Sequence, residues 1–430
     1  MQDGYNGLKM TQKELTNGKY MLTCFRMVPA KGISMLDMAT EVCAESSTGS
    51  NMRVSTATKF SDHLNAKVYK IDEKKNLVYI AYPWEIFDRG GNIQNILTYV
   101  VGNVFGMGEL KELKLLDMWM PPQMLRNYDG PSYTIHDLKK YLGIKNRPIL
   151  GTIIKPKIGL KPKEFAKVCY EFWMGGGDFV KFDEPQADQS FCPFKQAVAE
   201  TAKMMEKVRK ETGKNKVLSI NISSPDYDTM LARAAFVRKT MKKNSYAFLV
   251  DGITAGWMAV QTARRHFKDV FIHFHRAGHA AFTRPENVFG FSVPVLTAWA
   301  RLAGASGMHT GTAGIGKMNG GAEDVIAVHT ALDKVSKGEF FTQDWGKMKS
   351  SSGIASGGLN PTKLHAVIKA FGTTDFITTM GAGCHSHPDG TRKGATALVQ
   401  ACEAWQKGVT IEQYAKNHVE LKRAIEKFEK

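Results

Sequence analysis

The chain has 430 residues, of which 43% are hydrophobic and 23% charged, and its formal net charge is +17. This composition is typical of a folded protein with a sizeable core, and it excludes collagen-like and largely disordered chains. The length predicts one large barrel plus a smaller domain. The lysines are scattered along the chain, which favours solvated faces over a nucleic-acid surface, so no nucleic-acid partner is expected.

Neither a membrane span nor an export signal is expected. The apolar stretch around residues 289–308 is interrupted by Arg301 and falls short of the roughly 18 apolar residues that a spanning helix needs. The first twenty residues lack the apolar core of a signal peptide, which predicts a cytoplasmic protein with no membrane partner. The six cysteines form no C-x-x-C pair, which argues against a disulfide framework and a thiolate zinc site.

The first part of the chain has the pattern of a small domain with mixed elements. Strands are predicted at residues 20–28, 66–71, 77–82 and 113–120, and helices at 36–44 and 93–104. We assign residues 1–135 to an α+β (ferredoxin-like) N-terminal domain. Pro- and Gly-containing turns in residues 121–146 predict the join to the second domain.

From about residue 149 onward, short apolar, β-branched runs alternate with longer helical patterns. Such alternation is the signature of repeated βα units and a parallel sheet. Eight runs occur, at residues 149–155, 178–184, 216–223, 246–252, 270–276, 307–312, 353–358 and 375–381. The predicted fold class is therefore α/β, with a closed (β/α)₈ TIM barrel in residues 136–430.

In such a barrel the reactive groups collect where the strands end. The second run ends in Lys181, Asp183 and Glu184, and two adjacent carboxylates suit Mg²⁺, which prefers oxygen ligands. The residues alone leave two interpretations open. One is a Lys/Asp ion pair in the barrel interior. The other is a metal site in which Lys181, carbamylated by CO₂, supplies a third oxygen.

The remaining strand ends favour an anionic substrate. Glycines after the seventh and eighth strands fit a barrel phosphate site, although simple turn formation would also explain them. The glycine-rich run before Lys317 is not an NTPase phosphate loop, because Met318 follows the lysine, and it is typical of a lid. Cations are expected around the mouth at Lys155, Lys157, Arg276 and Lys317. Together these groups predict metal-assisted proton abstraction on a bisphosphorylated small substrate.

Six motifs, in this order, resemble one family, ribulose-1,5-bisphosphate carboxylase/oxygenase (RuBisCO). They are AESSTG (44–49), GNVFG (102–106), GTIIKPK (151–157), GDFVKFDE (177–184), HRAGH (275–279) and ASGG (355–358). The resemblance runs from about residue 19 to the C-terminal helix. It implies carboxylation of ribulose 1,5-bisphosphate by CO₂ to two molecules of 3-phosphoglycerate, with oxygenation as a side reaction.

The resemblance also implies roles for particular residues. Lys181 would be the carbamylated lysine, and its carbamate, Asp183 and Glu184 would bind Mg²⁺. The carbamate would be the base for enolisation, Lys155 would handle protons at the reacting carbons, and Lys317 would stabilise the new carboxylate. His275 would handle a proton or contact the substrate. The implied substrate-binding residues are Glu45, Asn103, Lys157, Arg276, His309, Ser356, Gly357, Gly358 and Gly381.

An antiparallel homodimer is implied as the smallest active unit, because in this family the N-terminal domain, with Glu45 and Asn103, covers the barrel mouth of a neighbouring subunit. One alternative is a RuBisCO-like enolase or isomerase of phosphosugars that fixes no CO₂. The presence of the whole set of carboxylation residues favours the carboxylase. A nucleic-acid-binding protein ranks last.

Three departures from the plant-type pattern point to one branch of the family. Asn51 stands where plant enzymes have Trp, Ala382 stands where a second Gly is common, and residues 381–387 read GAGCHSH. These features, together with Pro83-Trp84 and FDRGGN at residues 87–92, resemble the archaeal and candidate-phylum form II/III branch. That branch implies a role in nucleoside or AMP salvage.

Overall fold

A computed structural model describes residues 4–49, 52, 54–318 and 320–429, so Asn51 lies outside the described residues. The chain forms two compact units: the first comprises Met1–Gly130, Gly278–Ala303 and Asp333–Lys349, and the second comprises Pro131–Ala277, Gly304–Leu332 and Ser350–Lys430. The domain boundary after residue 135 stays a prediction. Two later segments, which the sequence pattern grouped with the barrel, pack within the first unit.

The elements are numbered in chain order. The strands are β1 (Tyr20–Pro29), β2 (Lys67–Asp72), β3 (Leu77–Pro83), β4 (Leu110–Trp119), β5 (Ile149–Ile153), β6 (Phe179–Lys181), β7 (Val217–Asn221), β8 (Tyr246–Asp251), β9 (Phe271–His275), β10 (Phe289–Phe291), β11 (Gly307–His309), β12 (Val335–Lys337), β13 (Thr342–Asp344), β14 (Gly353–Ser356) and β15 (Phe376–Thr379). The helices are α1 (Gln12–Leu15), α2 (Met35–Glu45), α3 (Lys59–His63), α4 (Ile93–Val100), α5 (Pro122–Leu125), α6 (Ile135–Leu142), α7 (Pro162–Met174), α8 (Phe194–Thr212), α9 (Tyr227–Thr240), α10 (Trp257–His266), α11 (Ala280–Thr283), α12 (Val293–Ala303), α13 (Ala322–Leu332), α14 (Leu364–Phe371), α15 (Ala382–His385), α16 (Gly390–Gln406), α17 (Ile411–Ala415) and α18 (Val419–Phe428). Within the described residues, none of these helices combines the length and the apolar character needed to cross a membrane.

The first unit is built on a five-stranded sheet with the order β10-β4-β1-β3-β2. The first four strands pair antiparallel, with α2 between β1 and β2 and α4 between β3 and β4, which is the predicted ferredoxin-like βαββαβ arrangement. Ser34 is the N-cap of α2, because its side chain accepts a hydrogen bond from the Asp37 N–H. The fifth strand, β10, was not predicted, and it pairs parallel with β4.

The second unit is the predicted barrel. Eight parallel strands close in the order β11-β14-β15-β5-β6-β7-β8-β9. All eight predicted runs are strands, but the predicted C-terminal ends lie about one to three residues too far along the chain. Apolar side chains from the N-terminal parts of the strands pack together in the barrel, and α6 adds to this cluster. Its members are Ile135, Leu138, Ile144, Ile149, Phe179, Val217, Ala247, Phe271, Ile354 and Ile377.

Helix α18 is held to the barrel unit by its first turn. The Glu420 carboxylate accepts hydrogen bonds from Lys393 Nζ and Gln400 Nε2, each at 2.8 Å. His387 Nε2–H donates to the Glu420 carbonyl oxygen at 2.9 Å, while His387 Nδ1 accepts from the Asp389 N–H. The Lys393 and Gln400 hydrogen bonds lower the pKa of Glu420 to about 2.

Replacing Glu420 by glutamine should therefore destabilise the folded state at neutral pH. A carboxylate whose pKa falls from 4.5 to about 2 on folding stabilises the protein above pH 4.5, and this contribution is lost as the pH falls towards 2. We expect Glu420→Gln to lower the free energy of unfolding by about 1 kcal/mol at pH 7. In thermal unfolding, the Tm gap between wild type and variant should narrow below about pH 4.5. Glu412→Gln, at an exposed glutamate of α17, is the control, and a gap independent of pH would contradict the assignment.

Candidate active site

The residues predicted for catalysis in the barrel unit follow the C-terminal ends of its strands. Because parallel strands of a closed barrel all end on one side, their terminal side chains meet at one mouth. The set comprises Lys155 and Lys157 after β5, Lys181, Asp183 and Glu184 at β6, His275 and Arg276 at β9, His309 at β11, Ser356, Gly357 and Gly358 at β14, and Gly381 after β15. Lys317 lies on the loop between β11 and α13.

Lys181 is the centre of a charged cluster. Its side chain is fully buried, and Nζ lies 3.2 Å from Asp183 Oδ1 and 3.6 Å from Glu184 Oε2. Lys155 Nζ donates to Asp183 Oδ2 at 2.8 Å, and Lys157 Nζ donates to Glu184 Oε1 at 2.7 Å. Two carboxylates thus lie among three lysines.

Burial and charge oppose each other in this cluster. Burial lowers the pKa of Lys181, although the carboxylates of Asp183 and Glu184 act in the opposite direction. For Asp183 burial alone would raise the pKa, but the hydrogen bond with Glu184 and the charges of Lys181 and Lys155 hold it below its usual range. The hydrogen bond from Lys157 to Glu184 raises the pKa of Lys157. The described residues hold no group of three or more His, Cys, Asp or Glu side chains that could bind a metal ion.

His275 is held by a carboxylate that the sequence analysis missed. Its Nδ1 lies 2.7 Å from Asp251 Oδ2, and its Nε2 lies 3.5 Å from Glu184 Oε2. Burial and the charge of Lys181 lower the pKa of His275, and the Asp251 hydrogen bond opposes this shift. Asp251 closes β8, a wholly buried strand. A carboxylate at the end of such a strand is the sequence signal from which Asp251 could have been identified as a site residue.

A hydrogen-bonded row of side chains crosses the barrel from β7 to β14. Ser219 Oγ lies 2.9 Å from His273 Nδ1, His273 Nε2 lies 3.0 Å from His309 Nε2, and His309 Nδ1 lies 2.8 Å from Ser356 Oγ. Burial lowers the pKa of both histidines well below the usual value. If both rings are neutral, the hydrogen bond between the two Nε2 atoms requires one of them to donate and the other to accept. The row therefore links the tautomer of His309 to that of His273.

Arg276 is a buried cation with unused hydrogen-bonding capacity. Burial lowers the pKa of its guanidinium to about 10, opposed by the charge of Asp324. Its Nη1 is buried and has no hydrogen-bond partner among the described residues. A buried donor without a partner is costly, and an anionic oxygen would satisfy it.

The loop that carries Lys317 lies against the turn after β14. The Lys317 N–H donates to the Gly357 carbonyl oxygen at 3.0 Å. Gly357 and Gly358 have φ angles of +104° and +75°, and a Cβ at residue 358 would lie 2.6 Å from Lys317 Cγ. After the adjacent strand β15, a Cβ at Gly381 would lie 3.2 Å from Lys155 Cε. The glycines thus leave room for the two lysine stems.

Glu45 and Asn103 belong to the first unit. The structure brings them together, because Asn103 Nδ2 donates to Glu45 Oε1 at 3.1 Å. Both side chains are exposed. The surface of the first unit therefore carries one carboxylate and one amide as a hydrogen-bonded pair.

Comparisons with known proteins agree with the predicted resemblance. The profile "Ribulose bisphosphate carboxylase large chain, N-terminal domain" matches residues 10–124, and "Ribulose bisphosphate carboxylase large chain, catalytic domain" matches residues 134–428. The chain is 43% identical over 435 residues to a ribulose bisphosphate carboxylase of Rhodobacter capsulatus, which covers 99% of this chain and 95% of that relative.

Solved structures of Rubisco are also similar to this chain. The dimeric archaeal Rubisco from Hyperthermus butylicus has a TM-score of 0.91 and 35% identity, covering 99% of both chains. The octameric Rubisco from Pyrococcus horikoshii has a TM-score of 0.89 and 33% identity, covering 99% of this chain and 96% of that one. With profiles matching both parts and relatives matching over nearly its full length, the chain belongs to the ribulose bisphosphate carboxylase large-chain family.

Proposed function

We propose that this protein carboxylates ribulose 1,5-bisphosphate with CO₂ to two molecules of 3-phosphoglycerate and oxygenates it in a side reaction. The observation that carries the proposal is the buried Lys181 beside Asp183 and Glu184, with Lys155 and Lys157 bound to the two carboxylates. The relatives named as ribulose bisphosphate carboxylases support the choice of substrate and reaction.

The donor set fits a carbamate and Mg²⁺. A lysine reacts with CO₂ only as the neutral amine, and burial of Lys181 favours that form. Carbamylation of this neutral amine, with release of one proton, would place an anionic oxygen donor beside Asp183 and Glu184, giving the three oxygen ligands that a hard cation accepts. When bound, Mg²⁺ would polarise the carbonyl and hydroxyl oxygens of the substrate.

The other residues of the mouth supply charge and proton transfer. The Lys155 ammonium, 2.8 Å from Asp183 Oδ2, would exchange protons at the reacting carbons. Lys317 would place its positive charge where the new carboxylate forms. Arg276, through its buried Nη1, and His309 and Ser356 would hold one phosphate and a hydroxyl. The backbone amides near Gly357, Gly358 and Gly381 would bind the other phosphate.

Arg276→Met should weaken substrate binding more than it slows turnover. Loss of a charge-assisted hydrogen bond to a phosphate costs about 1.5–3 kcal/mol, so we expect KM for ribulose bisphosphate to rise about 10- to 100-fold. Steady-state kinetics with varied substrate measure the split between KM and kcat, and thermal unfolding confirms that the variant is folded. An unchanged KM in a folded variant would argue against the phosphate role.

The decisive test of the proposed function is incorporation of labelled CO₂ into acid-stable 3-phosphoglycerate. The protein is preincubated with bicarbonate and Mg²⁺ and then given ribulose bisphosphate without oxygen. Label that requires both preincubation and metal supports the carboxylase and its carbamate together. Enolisation of the substrate without fixed label would instead favour the enolase or isomerase. Oxygen consumption in air tests the oxygenase reaction.

The structural relatives include dimeric and octameric enzymes, which supports a homo-oligomer. We propose a homodimer as the smallest active unit, with Glu45 and Asn103 contributing to the neighbour's barrel mouth. Hybrid dimers of Glu45→Ala and Lys181→Ala subunits test this, because each hybrid would hold one intact site and regain activity. Continued inactivity of the hybrids would contradict the shared site.

We also propose that the enzyme is cytoplasmic and that its substrate comes from nucleoside or AMP salvage. The likeness to archaeal enzymes supports this pathway. Ribose-labelled AMP added to a cell extract should yield labelled 3-phosphoglycerate, and the yield should fall when this protein is removed. An undiminished yield would contradict the pathway.

A further inference from the structure

His385 links three elements of the barrel unit. It ends α15, the single helical turn after β15, and its Nε2 lies 3.0 Å from Thr152 Oγ1 and 3.2 Å from the Ile153 carbonyl oxygen. Both of these atoms belong to the last residues of β5. On the other side of the ring, Nδ1 lies 3.0 Å from Thr391 Oγ1, at the start of α16.

For a neutral ring, only one proton arrangement satisfies these contacts. The Ile153 carbonyl oxygen can only accept, so the proton is on Nε2, and Nδ1 accepts from the Thr391 hydroxyl. The Thr152 hydroxyl donates to the Met380 carbonyl oxygen at 2.8 Å, which leaves its oxygen to accept from the same Nε2–H. Burial lowers the pKa of His385 to about 4 against the effect of the Ile153 hydrogen bond, so the ring is neutral at pH 7.

This network fixes two features next to Lys155. The strand end held by His385 is only two residues before Lys155 in the chain. The backbone N–H of His385 also donates to the Gly381 carbonyl oxygen at 3.1 Å, and the Lys155 stem lies against Gly381. The ring therefore connects the strand that carries Lys155 with the glycine on which the lysine stem packs.

We propose that His385 is a positioning residue that holds the Lys155 ammonium in place beside Asp183. The catalytic consequence rests on the proposed function, whereas the positioning itself does not. The neighbouring His387 provides a contrast within the same motif, because it makes its hydrogen bonds to Glu420 and Asp389 and so anchors α18.

The kinetic test compares three substitutions. His385→Phe keeps an aromatic ring and removes all three hydrogen bonds of the imidazole. A misplacement of about 1 Å can cost up to about 100-fold in rate. We expect kcat to fall about 10- to 100-fold, with KM for ribulose bisphosphate within about twofold of wild type. His385→Gln, whose amide can donate to Ile153, should restore most of kcat. His387→Gln should lower Tm without changing kcat.

A second measurement needs no carboxylase activity. Reductive methylation with labelled formaldehyde, followed by mass spectrometry, gives the reaction rate of each lysine, with Lys157 as the internal reference. In His385→Phe the rate at Lys155 should rise at least about threefold relative to Lys157, because an Nζ that no longer donates to Asp183 Oδ2 is more accessible to the reagent. Thr391→Val, which removes only the hydroxyl partner of Nδ1, should shift the rate in the same direction to a smaller extent.

The outcomes separate the two proposals. If wild type fixes no CO₂ but His385→Phe still changes the labelling of Lys155, the proposed function fails and the positioning role stands. Unchanged labelling of Lys155 in both folded His385→Phe and folded Thr391→Val overturns the positioning role, as does an unchanged kcat in an active enzyme. If His385→Phe does not fold, His385→Gln and Thr391→Val decide by the same measurements.

Discussion

Lys181→Met is expected to lower carboxylation at least about a thousandfold, because a thioether cannot be carbamylated and Mg²⁺ would lose one of its three oxygen ligands. Methionine has nearly the length of lysine and suits the fully buried position, so the fold should be retained. Fixation of labelled CO₂ measures the loss. In ¹³CO₂-saturated solution, a carbamate signal should be present in the wild-type NMR spectrum and absent in the variant.

Lys216 offers a matched control for this experiment. It is also a buried lysine whose pKa is lowered by burial, to about 8, and it donates to the Gly177 carbonyl oxygen. It precedes β7, at the opposite end of the barrel from Lys181. Lys216→Met should therefore leave the carbamate signal intact. Normal carboxylation by the folded Lys181→Met variant would contradict the assignment of Lys181 to a metal site.

Lys317→Met should slow carboxylation of the substrate much more than its enolisation. The lysine is expected to stabilise charge on the new carboxylate, and loss of such a group costs about 100- to 1,000-fold. Carboxylation should fall by that factor, whereas exchange of the substrate C3 proton with solvent should stay within about tenfold, because enolisation depends on the Lys181 cluster. Tritium release from C3-labelled substrate and fixation of labelled CO₂ are measured on the same samples.

A neighbouring lid residue provides the control for this prediction. Met318 lies beside Gly357, where a Cβ would be 2.6 Å from Met318 Cγ, and Met318→Leu keeps an apolar side chain of similar volume. Both rates should be near wild type in that variant. A parallel loss of exchange and fixation in Lys317→Met would place the lysine before carboxylation and contradict the role given to it.

The barrel could be predicted because each of its strands is a buried apolar run followed by polar residues. The predicted strands extend past the observed C-terminal ends, because the sequence does not mark where strand pairing stops. Asp183 and Glu184 extend the run at β6 in the sequence, but the chain leaves the strand ladder after Lys181. Strand β10 was missed because three residues, Phe289-Gly290-Phe291, show no periodicity, and their partner β4 is far away in the chain.

Within the candidate site, the residues at strand ends were identified, but their partners were not. Ser219 meets His273 only because closure of the barrel brings β7 and β9 to the same interior. The same holds for His385, whose partners on β5 are more than two hundred positions earlier in the sequence. The ion pair that the sequence left open at Lys181 and Asp183 is present, at 3.2 Å, and the carbamate is a proposal built on that geometry.

Strand β10 has a consequence for how the protein is made. The edge of β4 that it covers is synthesised roughly 170 residues earlier, so on a ribosome this edge waits about 10 to 35 s for its partner. An uncovered edge invites pairing with other nascent chains. Lys114, which lies opposite Gly290 and is buried in the finished fold with its ammonium on the Arg284 carbonyl oxygen, is synthesised before both of these partners. Its charge would disfavour pairing of the open edge with other chains until β10 has been synthesised.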